Sequence, residues 1–264
     1  AAFLGIIVSF ALSFLKEDTR MNLQDLMDTL REGAISALGV AAACAAVGFI
    51  VGVTTLTGLG LKFTSLTVAL AQGNLFLALF FTMVACTILG TGLPTTATYI
   101  VLATMAAPAL TQLGVPILAA HLFVLYFGVV ADLTPPAALA AYAGAGIAGS
   151  NPLRTGITAV KLAIAGFVVP FVFAYSPELL LIETNAAQVI LITGSSILGV
   201  FSLAAAVLGY LNRKTTVLER FVLIGSSIAL LFPGWQSDIL GVLLLAAVIY
   251  LQFKNKEDYK AQAA

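Results

Sequence analysis

The stretch Gly90-Thr91-Gly92-Leu93-Pro94-Thr95-Thr96 interrupts an apolar segment that runs from residue 75 to residue 110. The two glycines permit backbone conformations that other residues avoid, and Pro94 lacks an N–H donor and disfavours helix at the residue before it. Pro94 is also well placed as the first residue of a second helix over 94–110. The first arm, 75–89, would be about 22 Å long as a helix, which is short of the roughly 30 Å of bilayer hydrocarbon. We therefore predict a re-entrant hairpin rather than two full spans.

A second interruption, Ala131-Asp132-Leu133-Thr134-Pro135-Pro136, divides the apolar segment 117–148. A helix that begins near residue 117 is expected to end near Asp132, and Thr134 can cap a helix that restarts at Pro135. Irregular backbone at mid-membrane depth is tolerated only where protein or an aqueous cavity surrounds it. The sequence therefore predicts one broken helix beside one hairpin.

Composition places these segments in a membrane. Hydrophobic residues make up 61% of the 264 residues, charged residues make up 9%, and the mean hydropathy is +1.08. This leaves too little polar surface for a soluble globule, so we predict an all-α, polytopic integral membrane protein. The zero net charge argues against a nucleic-acid partner. Cys44 and Cys86 stand singly in apolar segments, so they predict neither a disulfide framework nor a metal site.

Apolar segments and basic residues together predict the topology. The further segments of membrane character are the end of a preceding helix at 1–15, then 33–56, 157–175, 187–211, 217–233 and 235–253. Basic residues concentrate in short cytoplasmic loops, which places the 16–32 loop, Arg154 and the C-terminal tail inside. The same rule places the loop that carries Arg213, Lys214 and Arg220 inside. This assignment holds only if 75–110 crosses the membrane an even number of times. Lys62 alone then falls on the outer side, in the 57–74 connection, where no span is predicted.

Residues 16–32 have the pattern of an amphipathic helix and not that of a membrane span. Asn22 and Asp25 are placed as a helix cap and its partner, and apolar residues follow with helical spacing at Leu23, Leu26, Met27 and Leu30. We expect an amphipathic helix at the cytoplasmic interface, either as a lever or as a surface connector. Residues 33–180 would then form the transport region, and 181–264 the C-terminal spans with a solvated tail from 254.

The two interruptions can form an ion and solute site. They free backbone carbonyls, bring threonine hydroxyls nearby and direct half-helix N-termini inward, which suits Na+ and an anionic solute. The alternative is that both are packing kinks. Asp132 is the one acidic residue that we place inside an apolar segment, where a charge costs about 3 kcal/mol unless it is paired or hydrated. It can coordinate Na+, carry a proton, or accept hydrogen bonds from freed amides; His121, the only histidine, is expected to be a buried hydrogen-bonding residue.

Three runs, 90–108, 120–136 and 144–149, closely resemble the large-subunit region of tripartite ATP-independent periplasmic (TRAP) transporters. The paired motifs are Gly-Thr-Gly-Leu-Pro at 90–94 and Asp-Leu-Thr-Pro-Pro at 132–136. The chain is most similar, over about residues 20–180, to fused permeases that work with TAXI-type solute-binding proteins. The resemblance implies a Na+-coupled elevator-type transporter with inverted repeats, fed with organic acids by a periplasmic binding protein and located in a bacterial inner membrane. Beyond Na+, it implies no cofactor.

Carried onto this sequence, the resemblance places the second repeat's share of the substrate and ion sites in the hairpin turn and the broken helix. The residues so implied are Gly90, Thr91, Gly92, Pro94, Thr95, Thr96, Asp132, Thr134 and Pro135. Na+ would lie at Gly90, Gly92, Thr95, Asp132 and Thr134. Only one hairpin and one broken helix are found where the family needs two of each. The first repeat and the small-subunit region are therefore expected as partners, and the chain alone is not expected to transport.

Three other functions compete with this one. A stand-alone dicarboxylate or citrate symporter shares paired hairpins, but the Ser-Asn-Thr sequence expected at its hairpin tip is absent here. An intramembrane aspartyl protease needs a second membrane aspartate, and a serine protease needs a serine beside His121, so we do not expect an enzyme. A structural membrane subunit without its own site is the last alternative.

Overall fold

The computed structural model describes residues 2–15, 20–136, 138–182 and 184–262, and these fold as helices with no β-strand among them. The α-helices are α1 Ala2–Ser13, α2 Leu23–Leu56, α3 Leu59–Ala71, α4 Leu75–Leu89, α5 Thr95–Met105, α6 Ala107–Gln112, α7 Ile117–Val130, α8 Leu139–Ala148, α9 Pro152–Leu162, α10 Ile164–Tyr175, α11 Ala186–Leu208, α12 Val217–Leu231 and α13 Trp235–Gln262. Short 3₁₀ turns cover Ala131–Leu133 and Pro177–Leu180. The predicted all-α membrane class is confirmed.

Four helical stretches in the described chain are long and apolar enough to cross a membrane. They are Leu23–Leu56, Pro152–Tyr175, Ala186–Leu208 and Trp235–Lys254. Large apolar side chains on their surfaces, such as Phe49 at 79% exposure, are expected where lipid rather than water surrounds a helix. Helix α12 has 15 residues and is shorter than the span predicted over 217–233.

The chain divides into two compact units, residues 1–50 and 51–264. In the first unit, Asn22 and Asp25 bond each other's backbone amides at 2.8 Å, so the predicted cap begins α2 at Leu23. The helix then continues to Leu56, where the sequence suggested a separate helix over 16–32. Gly33 and Gly39 do not end it, since a glycine inside a helix costs only about 1 kcal/mol. Residues 16–19 lie outside the described chain, and the interfacial position of this helix stays a prediction.

Helix α7 is the centre of the second unit. It packs against α4, α5, α6 and α10, and its Phe123 and Phe127 are fully buried with ring centroids 4.8 Å apart. Phe171 of α10 closes this aromatic cluster at 5.3 Å from Phe123. Because lipid offers no hydrophobic drive between helices, such packing is what holds the hairpin and the broken helix together.

Two further elements differ from the sequence-based expectation. Helix α3 occupies the 57–74 connection, where Lys62, Thr64 and Thr67 lower the apolar signal below that of a span. Helix α13 continues to Gln262, through the residues predicted as a solvated tail. Its last turns contain Lys, Glu, Gln and Ala, which are strong helix formers and continue a helix that has already begun.

The C-terminal helices α11, α12 and α13 pack on one another around Leu223, Leu245 and Val248. A buried polar network fixes the loop between α11 and α12 to α13. Glu219, 8% exposed, accepts bonds from Arg213 Nη2 at 2.7 Å, from the Thr216 amide at 2.7 Å and from Gln252 Nε2 at 3.2 Å. The interpretation that Asp132 is the one acidic residue inside an apolar segment is therefore wrong, because Glu219 is buried at the start of α12.

Candidate ion and substrate site

The hairpin turn lies between α4, which ends at Leu89, and α5, which begins at Thr95. Gly92 has a φ of +80°, so the predicted need for a glycine is confirmed there. Gly90 has an ordinary right-handed conformation, with φ at −74°, and is therefore not required for its φ. Pro94 precedes α5 as its cap residue instead of forming its first turn. The Thr98 hydroxyl donates to the Leu93 carbonyl at 3.2 Å and ties the turn to the helix that follows.

Both arms of the hairpin pack on α7. A Cβ placed on Gly128 would lie 3.0 Å from Thr98 Cγ2 and 3.2 Å from Leu102 Cδ1, so glycine allows α5 to approach α7 closely. The second arm is shorter than the predicted 94–110, because α5 ends at Met105 and α6 begins at Ala107. Pro108 explains this break, since it has no N–H to donate to the carbonyl of Thr104.

The predicted break in the second segment is present, but its details differ. Helix α7 ends at Val130, and α8 restarts only at Leu139 rather than at Pro135. Pro136 keeps Pro135 out of the helical region. The Thr134 hydroxyl donates to the Val130 carbonyl at 2.8 Å, so Thr134 completes the end of α7 and does not cap α8. The prediction of an N-cap at Thr134 is wrong.

The two following helices, α8 and α9, pack against the break. The Tyr142 hydroxyl donates to the Pro136 carbonyl at 3.0 Å. A Cβ on Gly156 of α9 would lie 3.1 Å from Pro135 Cγ, which shows how closely α9 passes over the two prolines. The irregular backbone is thus packed against protein, as a break at membrane depth requires.

The hairpin turn and the broken helix meet at Gly90. A Cβ on this buried residue would lie 3.0 Å from Ala131 Cβ and 3.1 Å from the Gly128 carbonyl oxygen. Asp132 follows Ala131 directly in the 3₁₀ turn. Helices α4 and α7 therefore both end near one contact, and the last carbonyls of a helix carry partial negative charge.

Asp132 is half-buried, and its carboxylate has no hydrogen bond or salt bridge to any residue that the structure describes. Bonds from freed backbone amides would have explained the residue structurally. Within the described chain those bonds are not made, so the structural explanation for Asp132 lacks its expected support.

The remaining predicted site residues form two groups, one exposed and one half-buried. Thr91, Gly92, Pro94, Thr95 and Thr96 are exposed on the hairpin turn, while Thr134 and Pro135 are half-buried at the break. The Thr91 hydroxyl donates to the Ile88 carbonyl at 2.8 Å. Because Thr91 and Thr134 both donate their protons to carbonyls, the lone pairs of their hydroxyl oxygens remain able to accept or to ligate a cation.

Sequence reasoning missed one residue beside this region. His121 of α7 bonds through Nδ1 to the hydroxyl of Tyr99 in α5 at 2.9 Å, so its predicted hydrogen-bonding role is confirmed. The partner was not predicted. Tyr99 is the one aromatic residue of α5, and its hydroxyl needs a bond when buried, which is the signal that could have identified it.

Membrane-length helices, a hairpin turn and a broken helix packed against it are features of helical membrane transporters. The family model of the tripartite ATP-independent periplasmic transporter, DctM component, matches residues 1–188, and the chain belongs to this family. It is thus a membrane component of a TRAP transporter, from a family of transporter components and not of enzymes. Such components work with a periplasmic binding protein and a small membrane subunit. No curated protein and no solved structure matches the chain.

The family match includes both interruptions and stops at residue 188. Most of α11, and all of α12 and α13, lie beyond the matched residues. The polar network around Glu219 therefore belongs to a part of the chain whose role the family does not assign.

Proposed function

We propose that this chain is the permease component of a Na+-coupled secondary transporter that imports organic acids across a bacterial inner membrane. The acids would be delivered by a periplasmic solute-binding protein of the TAXI type. The observation that carries the proposal is the contact at Gly90, where the hairpin turn packs on the end of α7 next to an Asp132 carboxylate without partners among the described residues.

The Na+ part of the proposal rests on the chemistry of this contact. Na+ is coordinated by oxygen atoms, and unwound backbone carbonyls at helix ends are a common source of them in transporters. The ends of α4 and α7 supply carbonyls, and Thr134 supplies a hydroxyl oxygen. The carboxylate of Asp132 would offset the charge of the ion, either directly or through water. The Na+ ligands proposed are Gly90, Gly92, Thr95, Asp132 and Thr134.

The substrate part rests on the start of α5. This helix begins at Thr95 without a side-chain cap, so its first amides have no side-chain partner. Free amides at a helix N-terminus carry partial positive charge and suit a carboxylate. Thr91, Pro94, Thr96 and Pro135 would line the path of the acid beside the ion.

Uptake measurements test the proposal. Proteoliposomes holding the permease that contains this chain are supplied with labelled organic acids, with and without the binding protein, and with an inward gradient of Na+ or of K+. We expect uptake only when both Na+ and the binding protein are present. Uptake that needs Na+ but not the binding protein would favour a stand-alone symporter, and uptake driven equally by K+ would contradict the Na+ site.

A further inference from the structure

A second polar cleft lies far along the chain from the proposed transport site, where α11 and α13 begin and α10 and α12 end. It encloses about 330 Å³ and is lined by residues between Val172 and Asp238. Glu178 and Asp238 contribute half-buried carboxylates, and Trp235 contributes an exposed indole ring. Among the described residues no Lys, Arg or His side chain lines the cleft, so its charge is negative.

The hydroxyl of Ser176 is the second observation. Ser176 lines the cleft, is 3% exposed, and its side chain has no hydrogen-bond partner in the described chain. A ligand in the cleft that donates a hydrogen bond would give this hydroxyl oxygen a partner.

Two helix C-termini add to the negative charge of the cleft. Helices α10 and α12 end beside the cleft at Tyr175 and Leu231, and the last carbonyls of a helix carry partial negative charge. Asp238 has an additional structural explanation, because it lies in the first turn of α13 and offsets the dipole of that helix. Glu178 lies in a 3₁₀ turn and has no such explanation. Neither carboxylate forms a salt bridge with a described residue.

We propose that this cleft binds an alkylammonium group, which the carboxylates of Glu178 and Asp238 pair with and the indole of Trp235 covers. An ammonium group donates hydrogen bonds, which Ser176 and the carboxylates can accept. Its charge is attracted by the face of a tryptophan ring, the best aromatic partner for a cation. The alkyl part would lie against Leu191 and Ile192, which also line the cleft.

Trp235 makes the proposal directly testable, because it is the only tryptophan in the chain. The purified 264-residue chain in detergent micelles is titrated with butylammonium chloride, and with NaCl at the same ionic strength, while tryptophan fluorescence is recorded. We expect a saturable change with butylammonium and none with NaCl. A change that is linear, or equal with both salts, would overturn the proposal.

Variants show whether the signal arises from the cleft. Glu178→Gln and Asp238→Asn should each raise the half-saturating butylammonium concentration about three- to fivefold, as expected for one partly exposed ion pair. Ser176→Ala should raise it about twofold or more. Asp28→Asn removes an exposed carboxylate that does not line the cleft, and it should change nothing. Equal half-saturation in the wild type, Glu178→Gln and Asp238→Asn, with helicity preserved, would refute the site.

The ammonium group can come from a free amine or from a lysine side chain of a protein. A short peptide with one lysine, compared with the same peptide acetylated on that lysine, separates the two sources. Tighter binding of the unmodified peptide than of butylammonium identifies a protein lysine, and weaker binding identifies a free amine. Saturable binding of the acetylated peptide at the same concentration would contradict recognition of an ammonium group.

Discussion

Asp132 and Glu219 are two acidic side chains in opposite surroundings. Glu219 lies beyond the family-matched region, 8% exposed, and it accepts bonds from Arg213, Thr216 and Gln252. Asp132 lies at the broken helix and has no partner among the described residues. A buried carboxylate with a complete set of donors stabilises a fold, whereas one without donors is available for a ligand. The comparison therefore indicates a structural role for Glu219, and it agrees with the ion-binding role that we propose for Asp132.

The largest expected effect is loss of stability at Glu219. Glu219→Ala removes the salt bridge to Arg213 and the bond from the Thr216 amide, which is one half of the capping box of α12. It also leaves the fully buried Gln252 amide without its acceptor. We expect a loss of about 2–3 kcal/mol in the free energy of unfolding, because Arg213 is partly exposed and the cost of breaking the pair is reduced. Thermal denaturation in detergent measures it. The exposed control Glu32→Ala should stay within about 0.5 kcal/mol, and an equal loss in both variants would remove the structural role of Glu219.

Asp132→Asn should show the reverse pattern. We expect the Na+ concentration for half-maximal uptake in permease proteoliposomes to rise about tenfold or more, since a charged ligand contributes about 1.5–3 kcal/mol. Thermal stability should hardly change, because no described partner is lost. Asp28→Asn, an exposed carboxylate on α2, is the control for charge alone. If Asp132→Asn were destabilised, and the protein that still folds kept the wild-type Na+ dependence, Asp132 would be a structural residue and not an ion ligand.

Gly90→Ala tests whether the contact between the hairpin turn and the end of α7 shapes the proposed ion site at Asp132. The added Cβ would lie within 3.1 Å of the Gly128 carbonyl oxygen and of Ala131, so the hairpin turn must move away from α7. Overpacking of this kind costs about 1–3 kcal/mol, and the half-saturating Na+ concentration should rise as the carbonyls separate. Gly144→Ala in α8 is the matched control, since nothing lies within 4 Å of its Cβ. Unchanged Na+ dependence in Gly90→Ala would show that the contact does not shape the ion site.

The smallest effect is expected at Thr134. Thr134→Ala removes one hydrogen bond to the Val130 carbonyl and should cost about 1 kcal/mol of stability. It should also weaken Na+ dependence, because the hydroxyl oxygen is a proposed ligand. Thr134→Ser keeps the hydroxyl and should restore both properties in denaturation and uptake measurements. If Thr134→Ser loses stability and Na+ dependence as Thr134→Ala does, both properties depend on the methyl group of Thr134 and not on its hydroxyl.

Both helix interruptions could be predicted from sequence because glycine and proline change the backbone locally. Gly92 needs a positive φ and Pro136 excludes helix before it, and neither effect depends on distant residues. The restart of the helix at Leu139 could not be predicted, because Thr134 bonds back to Val130 instead of forward. The direction of this Thr134 bond depends on packing around the two prolines, including the close approach of Gly156.

Long-range partners were also beyond the sequence. The bond from Gln252 to Glu219 joins residues 33 positions apart, and no local pattern marks it. Helix α3 was missed because Lys62, Thr64 and Thr67 dilute its apolar pattern, although its packing on α4, α5 and α6 stabilises it. Periodicity identified the apolar helices. It did not give the full lengths of α2 and α13, because both helices continue through residues that interrupt the apolar pattern but are still compatible with a helix.

Na+ binding to the purified chain tests the central claim most directly. The midpoint of thermal denaturation is followed in detergent as NaCl replaces KCl at constant ionic strength. If Asp132 and the carbonyls at the hairpin contact hold Na+, the ion should stabilise the wild type by about 1.4 kcal/mol at ten times its dissociation constant. It should not stabilise Asp132→Asn. Equal stabilisation of both proteins by Na+, or of the wild type by Na+ and K+ alike, would contradict the site.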